Sequence, residues 1–415
     1  MAGMELTEET RQSAEAGGSA DVVVGIAGPV AAEELRERAG KVAEELGAGG
    51  NSLRIVFAWP GGSSPSAAPN GNGHGAAAFV PYAAPASDGE FWSAVSANQR
   101  GVLALGASMG ARVCIVLGSD LAALEARVVE AFAYAILERQ SALAMPVYPA
   151  GKYDGLINTG ILSPLSRAVY GKRLRYPLTY EFAASGALGA QLAGSEHSAA
   201  NRGNGLLWPG AVAALQSPPA AMGQVHIDVR HHAATAGMEL SAVLAQLVGS
   251  LFEEMEASAA QWQRIRGSQP VPVWGSSPGG DGDGQAIEAQ PMLDSFLLGS
   301  KNLDEVWRLI LPPNTLLDLR RLTRLAPEAF AMPDELWAGI VYDFALAWRL
   351  RTISRSHLLG ALTPLYLGWA ASWVREVASL GHAAVEQRFE QFARVWEEKK
   401  PYLLSRWRWP DRFNP

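Results

Sequence analysis

Residues 21–26 (DVVVGI) are a run of β-branched side chains, too short for a helix and apolar enough for a buried strand. Ala27-Gly28-Pro29 follow as a tight turn, and 31–46 then place Leu35, Val42 and Leu46 on one helical face. Residues 51–59 (NSLRIVFAW) predict a second strand. The next stretch, 61–78, holds too few apolar groups to offset its own ordering entropy and reads as a mobile loop. A third strand at 111–117 (ARVCIVL) runs into Gly118-Ser119-Asp120, after which Leu124, Val128, Val129, Phe132 and Ile136 mark a helix over 121–139. Strands alternating with helices predict an α/β fold with a mainly parallel sheet, in which ligands sit beyond the carboxyl ends of the strands.

The pattern then changes. Residues 240–256 are helical by spacing, 269–285 (QPVPVWGSSPGGDGDGQ) form a linker, and nearly everything from 287 to 407 is amphipathic helix. Seven of the 13 Trp lie beyond Phe330, so this part should have a Trp-rich core. The predicted organisation is a disordered tail at 1–20, an α/β domain at 21–274, a linker at 275–285 and an α-helical domain at 286–415. The helical part would either cover a cleft or form a homodimer interface.

Composition narrows the chemistry. With one Cys in 415 residues, disulfide frameworks and thiolate zinc sites are excluded. A net charge of −7 argues against a general nucleic-acid binder. The acidic first 20 residues lack a cationic start and an apolar core, so no secretory signal is read and a cytoplasmic location is expected. Two apolar stretches, 101–118 and 357–374, are interrupted by Arg112 and by Gly360, Thr363, Pro364 and Gly368, and predict buried elements, not membrane spans.

Short motifs compete for a site. Gly106-Ala107-Ser108-Met109-Gly110 matches the G-x-S-x-G nucleophile elbow, but an elbow needs a strand before it and a helix after. Here 91–99 lead in as a helix and a β-branched run follows, so a serine hydrolase at Ser108 is the weaker reading. Asp120 lies just past a strand's carboxyl end, where a carboxylate can hold a divalent cation or simply cap a helix. The segment 224–232 (QVHIDVRHH) is either a polar surface strand or a metal site in which His226 and Asp228 share a face. Four cations in 167–175 (RAVYGKRLR) suit an anionic small ligand or a solvated helix end equally well.

The block running from Lys152-Tyr153-Asp154-Gly155 through Asn158 and Arg167 to Arg175-Tyr176-Pro177 resembles a segment of bacterial family 2-like GT-A glycosyltransferases related to glucosylglycerate and mannosylglycerate synthases. The resemblance continues in order at 111–121, 240–252, 266–272, 333–337, 341–345 and 357–368. It implies a GT-A-like, Rossmann-like fold and a hexosyltransferase moving a sugar from a nucleotide sugar to a small, glycerate-like anionic acceptor. It further implies Mg²⁺ or Mn²⁺ held by Asp120 with help from His231, His226 being the competing register. Asp120 and Glu181 would be catalytic, Glu181 contacting acceptor or transferred sugar, with Lys152, Asn158, Arg167, Arg173 and Arg175 anchoring acceptor or diphosphate.

The departures cluster around the same site. Gly118 stands where the family's D-x-D has its first acid, and Thr179-Tyr180 stand before Glu181 where the family has glycines. A catalytically degenerate protein with a binding or regulatory role is therefore the alternative to an active transferase.

Overall fold

The computed structural model describes residues 18–28, 30–48, 53–61, 78–85, 87, 89–118, 121–194, 205–228, 238–276 and 287–410. The chain divides into two compact units that interleave in sequence. Unit 1 comprises 1–149, 174–232 and 270–278, and unit 2 comprises 150–173, 233–269 and 279–415. The boundary thus differs from the single break expected at 275–285: segments 150–173 and 233–269 belong with the helical part. Their apolar faces are satisfied by helices far downstream, which no local pattern reveals.

Unit 1 is built on an eight-stranded sheet. Its strands are β1 (Val22–Ile26), β2 (Ile55–Pro60), β3 (Ala78–Tyr82), β4 (Val113–Leu117), β5 (Leu143–Val147), β6 (Phe182–Ser185), β7 (Met222–His226) and β8 (Val273–Trp274). The spatial order is β8-β7-β5-β6-β4-β1-β2-β3. Every pairing is parallel except those of β6, which runs antiparallel between β4 and β5 with Val116 opposite Phe182 and Leu143 opposite Ala184. The α/β, mainly parallel class is as expected. All five residues of β1 and of β4 are buried, because helices cover both faces of a parallel sheet and leave no polar side to alternate with.

On one face, α1 (Ala32–Ala48) and α3 (Ala126–Leu137) bring Leu35, Val42, Leu46, Val128 and Phe132 onto Val22, Val24, Ile26, Ile115 and Leu117. Helix α3 starts later than the pattern suggested: Leu121 takes a left-handed φ of 54° and a turn runs to Glu125 before the helix begins. The other face receives α2 (Phe91–Ser108), which approaches the strands through glycines. A Cβ at Gly106 would lie 2.2 Å from Cys114 Sγ, and one at Gly25 would lie 2.3 Å from Val102 Cγ1. Gly106 is therefore a packing glycine. Ser108 is the last residue of α2, and its hydroxyl donates to the Leu105 carbonyl at 2.7 Å, a helix-end arrangement that rules out the nucleophile elbow. Of the expected loop 61–78, residues 62–77 lie outside the described residues, while Ala78 already begins β3.

Unit 2 is helical. A π-helical turn, Asn158–Leu162, leads into α4 (Ser163–Tyr170), followed by α5 (Leu240–Ala257), α6 (Gln290–Asn302), α7 (Asp334–Leu350), α8 (Arg355–Val377) and α9 (His382–Arg408). Its core is aromatic, as the Trp count implied. Trp369 stacks with Trp337 at 5.9 Å, with Trp373 at 5.8 Å and with Phe392 at 5.6 Å between ring centroids. The Trp337 indole N–H donates to the Gly160 carbonyl at 2.8 Å, and a Cβ at Gly160 would fall 2.2 Å from the Trp369 ring. The apolar stretch 357–374 lies within α8 and is mostly buried. Among the described residues, no helix is long and apolar enough to cross a membrane.

Candidate functional site

The sheet order defines a crevice. From β1 the chain moves outward to β2 and β3, then returns to place β4 on the opposite side of β1, so the strand order reverses between β1 and β4. At such a switch point the connections diverge and leave a cleft beyond the strands' carboxyl ends. Where β1 and β4 end, the Ala27 N–H donates to the Leu117 carbonyl at 2.8 Å. At one side the buried Tyr82, ending β3, donates its hydroxyl to the Ile26 carbonyl at 2.6 Å.

Because β6 runs antiparallel, its first residues arrive where β4 and β5 end. That brings Glu181, immediately before β6, beside Gly118 and Tyr148. Glu181 is fully buried. One carboxylate oxygen accepts the Gly118 N–H at 3.0 Å, and the other accepts the Tyr148 hydroxyl at 2.5 Å. Burial pushes the Tyr148 phenol well above its usual range, and the Glu181 charge pushes it further, so it stays a proton donor. The Thr179 hydroxyl donates to the Glu181 carbonyl at 2.6 Å, and the Gln99 side-chain amide donates to the carbonyls of Thr179 and Tyr180 at 3.0 and 3.1 Å. A buried acid whose oxygens accept in this way braces the backbone it holds, here at Gly118, the end of β4.

Tyr180 occupies the position where the resemblance implied a glycine. Its ring stacks on Trp92 with centroids 4.7 Å apart, and Phe91 meets it edge-on at 6.2 Å. Tyr148 meets Tyr176 edge-on at 5.0 Å, and the Arg175 guanidinium lies 5.0 Å from the Tyr176 ring centre. The Arg175 backbone N–H donates to the Gln224 side chain at 2.8 Å, tying this segment to β7. The edge is thus lined by aromatic rings with one guanidinium among them.

The expected site residues separate. Asp120 and His231 lie outside the described residues. His226 ends β7, where burial lowers its pKa, and Asp228, two residues on, pairs with Arg127 at 3.4 Å. No group of three or more His, Cys, Asp or Glu side chains among the described residues could hold a metal ion. The residues implied to hold the cation, Asp120 and His231, thus lie outside the part in which a donor set could be seen.

The basic stretch 167–175 is divided between the units, with Arg175 in unit 1 and Arg167 and Arg173 in unit 2. Arg167 is only 3% exposed and is committed to Glu390 and Glu397, so its charge is neutralised within unit 2 and it does not present a free guanidinium to an acceptor. Arg173 donates to the Ser268 hydroxyl at 2.9 Å, and Lys152 to the Ala378 carbonyl at 2.8 Å. Asn158 opens the π-helical turn, its carbonyl accepting the Ser163 N–H.

Tyr148, Gln99 and Gln224 were not anticipated. Pro146, inside β5, breaks the strand signal that would have placed Tyr148 at a strand end, since proline rarely sits inside a sheet. Gln99 and Gln224 are 2% and 4% exposed, and a buried glutamine leaves its mark only in three dimensions.

No family model matches the chain, and no curated protein matches it. Among solved structures, glucosyl-3-phosphoglycerate synthase from Mycobacterium tuberculosis in complex with phosphoglyceric acid is similar at 15% identity, covering 60% of this chain and 83% of that one with a TM-score of 0.35. The same enzyme in complex with Mn²⁺, UDP-glucose and phosphoglyceric acid gives 15% identity, 62% and 86% coverage and a TM-score of 0.32. A mycobacterial protein described only as such gives 14%, 67%, 86% and 0.36.

Proposed function

We propose that unit 1 has a GT-A-like fold and binds a nucleotide sugar at the carboxyl edge of its sheet, passing the sugar to a small anionic acceptor. The observation that carries this reading is the end of β4. At the switch point the buried Glu181 accepts the Gly118 N–H, and Gly118 stands two positions before Asp120 in the sequence. The ordered resemblance of 152–177 and the later segments to sugar transferases supports the same reading.

In this account the bond from the sugar's anomeric carbon to the diphosphate breaks, a bond to an acceptor oxygen forms, and that oxygen's proton is released. Asp120 and His231 are the proposed ligands of a divalent cation, which would supply charge stabilisation to the departing nucleoside diphosphate. Arg175, held by Gln224 and lying against Tyr176, is the proposed anion contact within unit 1. Glu181 is a positioning residue: both its oxygens are engaged and it has no exposed surface from which to touch a substrate.

The test is turnover of nucleotide sugars with Mg²⁺ or Mn²⁺. Asp120→Ala should lose metal-dependent transfer by at least about a hundredfold, the scale of removing a group that stabilises transition-state charge. Unchanged transfer in that variant contradicts the role of Asp120. Gly118, in place of an acid, favours a second reading in which the site binds without turning over; binding of the donor with no transfer to any acceptor would establish it.

A further inference from the structure

Three aromatic rings meet at the carboxyl edge of unit 1's sheet. Helix α2 packs its last turn, at Gly106, on Cys114 near the start of β4, so its first residues, Phe91 and Trp92, lie at the opposite, carboxyl edge. There they meet Tyr180, which arrives just before β6. The cluster is layered. Trp92 is buried, at 8% exposure, and Tyr180 stacks on it with the two planes 14° apart, while Tyr180 and Phe91 keep part of their surface in water. Part-exposed rings supported by a buried one are the lining that ligand sites use for a flat apolar face.

Tyr180 is fixed from two sides. The Gln99 side-chain amide, 2% exposed, commits both its hydrogens to the carbonyls of Thr179 and Tyr180, and the next residue, Glu181, is anchored through both carboxylate oxygens. Gln99 thus sets the backbone and Trp92 the plane of the ring. Folding has already ordered it, so a ligand lying on it meets little further ordering cost from the protein.

A positive charge belongs to the same cluster. The Tyr148 hydroxyl donates to Glu181, and the phenols of Tyr176 and Tyr180 both lie close enough to push the Tyr148 phenol up further. Tyr176 meets Tyr148 edge-on and has the Arg175 guanidinium 5.0 Å from its ring centre. Residues 175–180 therefore carry a guanidinium at one end and a held ring at the other, joined through Tyr148.

We propose that the acceptor of unit 1 is a six-membered ring bearing an anionic group, its flat face on Tyr180 and Phe91 and its charge on Arg175. A pyranose turns axial C–H groups, and an aromatic acid its π-face, toward such rings; an acyclic acid has neither and gains only the Arg175 contact. The proposal rests on the sugar-transfer reading and narrows its acceptor to a chemical class.

The experiment is calorimetric titration of the full chain, with and without UDP- and GDP-glucose. Glucose 6-phosphate and 4-hydroxybenzoate serve as ring-bearing anions, 3-phosphoglycerate as the acyclic anion and methyl glucoside as the uncharged ring. At least one ring-bearing anion should bind about tenfold tighter than 3-phosphoglycerate, the scale of one ring contact, and which of the two does so separates a pyranose from an aromatic acid. Tyr180→Ala should erase that preference and leave 3-phosphoglycerate binding as it was, whereas Tyr180→Phe should retain it. Arg175→Gln should weaken the charged rings without changing methyl glucoside. Circular dichroism checks that the variants fold, and the wild-type comparison stands without them. Equal or tighter binding of 3-phosphoglycerate overturns the proposal, as does a ring preference that Tyr180→Ala leaves intact, or binding of none of these ligands with or without donor. The sugar-transfer reading fails separately, by absence of donor binding; a ring preference that persists without donor and is lost in Tyr180→Ala would still assign the ring seat.

Discussion

Glu181 is a single side chain that braces the end of β4 from a fully buried position. A carboxyl group with no solvent contact is tolerable only when its oxygens are satisfied, and here a backbone N–H and a phenol satisfy them. Glu181→Ala would strand the Gly118 N–H and the Tyr148 hydroxyl, and should lower unfolding stability by about 3 kcal/mol in urea titrations. Glu181→Gln keeps an acceptor for Gly118 and should cost only about 1 kcal/mol. A loss under about 0.5 kcal/mol in the alanine variant would contradict the bracing role.

A second buried acid makes a pH prediction. Asp343 is 1% exposed and its pKa is pushed up to about 6 by burial, against the opposing charge of Arg406 and the hydrogen bond from Tyr402. A folded-state pKa above the unfolded one means that the folded chain holds the proton longer. Stability from this group is therefore present below about pH 4 and is lost as pH rises through about 6. The loss should be on the order of 3 kcal/mol, measured as unfolding free energy below and above that window, and should vanish in Asp343→Asn. An equal pH slope in both proteins would refute it.

At the scale of elements, what the sequence discloses depends on whether burial leaves a periodic mark. Strands β1 and β4 are legible because they are covered on both faces and consist of apolar residues, and α1 and α3 because one face is apolar. Strand β5 is hidden by Pro146, and β3 by the polar stretch before it. Within the proposed site, Asp120 is a candidate because the sequence places an acid after a strand. The contact between Glu181 and Gly118 is not, because it depends on β6 running against its neighbours. The pairing of Arg167 is hidden for a related reason: the acids that neutralise it lie over 220 residues downstream. Gly106 and Ser108 give the cleanest element-level test. Gly106→Ala drives a methyl into Cys114 and should destabilise the fold by about 1–3 kcal/mol. Ser108→Ala should change stability by less than about 0.5 kcal/mol, and an acyl-serine probe should not label the wild type at this position. Labelling of Ser108 would reverse that assignment.

For the whole molecule, the interleaving of the two units matters more than their sizes. A cut in the Gly/Pro-rich segment near 275–285 does not separate them, since unit 2 draws on 150–173 and 233–269. A fragment of 286–415 would lack Gly160, whose carbonyl accepts from Trp337 and whose bare α-carbon admits Trp369. It should therefore melt without a cooperative transition, and a fragment melting like the full chain would show that unit 2 closes its core without the earlier segments.

The most direct test of the central claim is calorimetric titration of the full chain with UDP- and GDP-sugars, with and without Mn²⁺. The account predicts saturable binding of one nucleotide class, strengthened by the cation and weakened at least about tenfold in Asp120→Ala, with folding unchanged. Absence of binding to any nucleotide sugar, with or without metal, would contradict it.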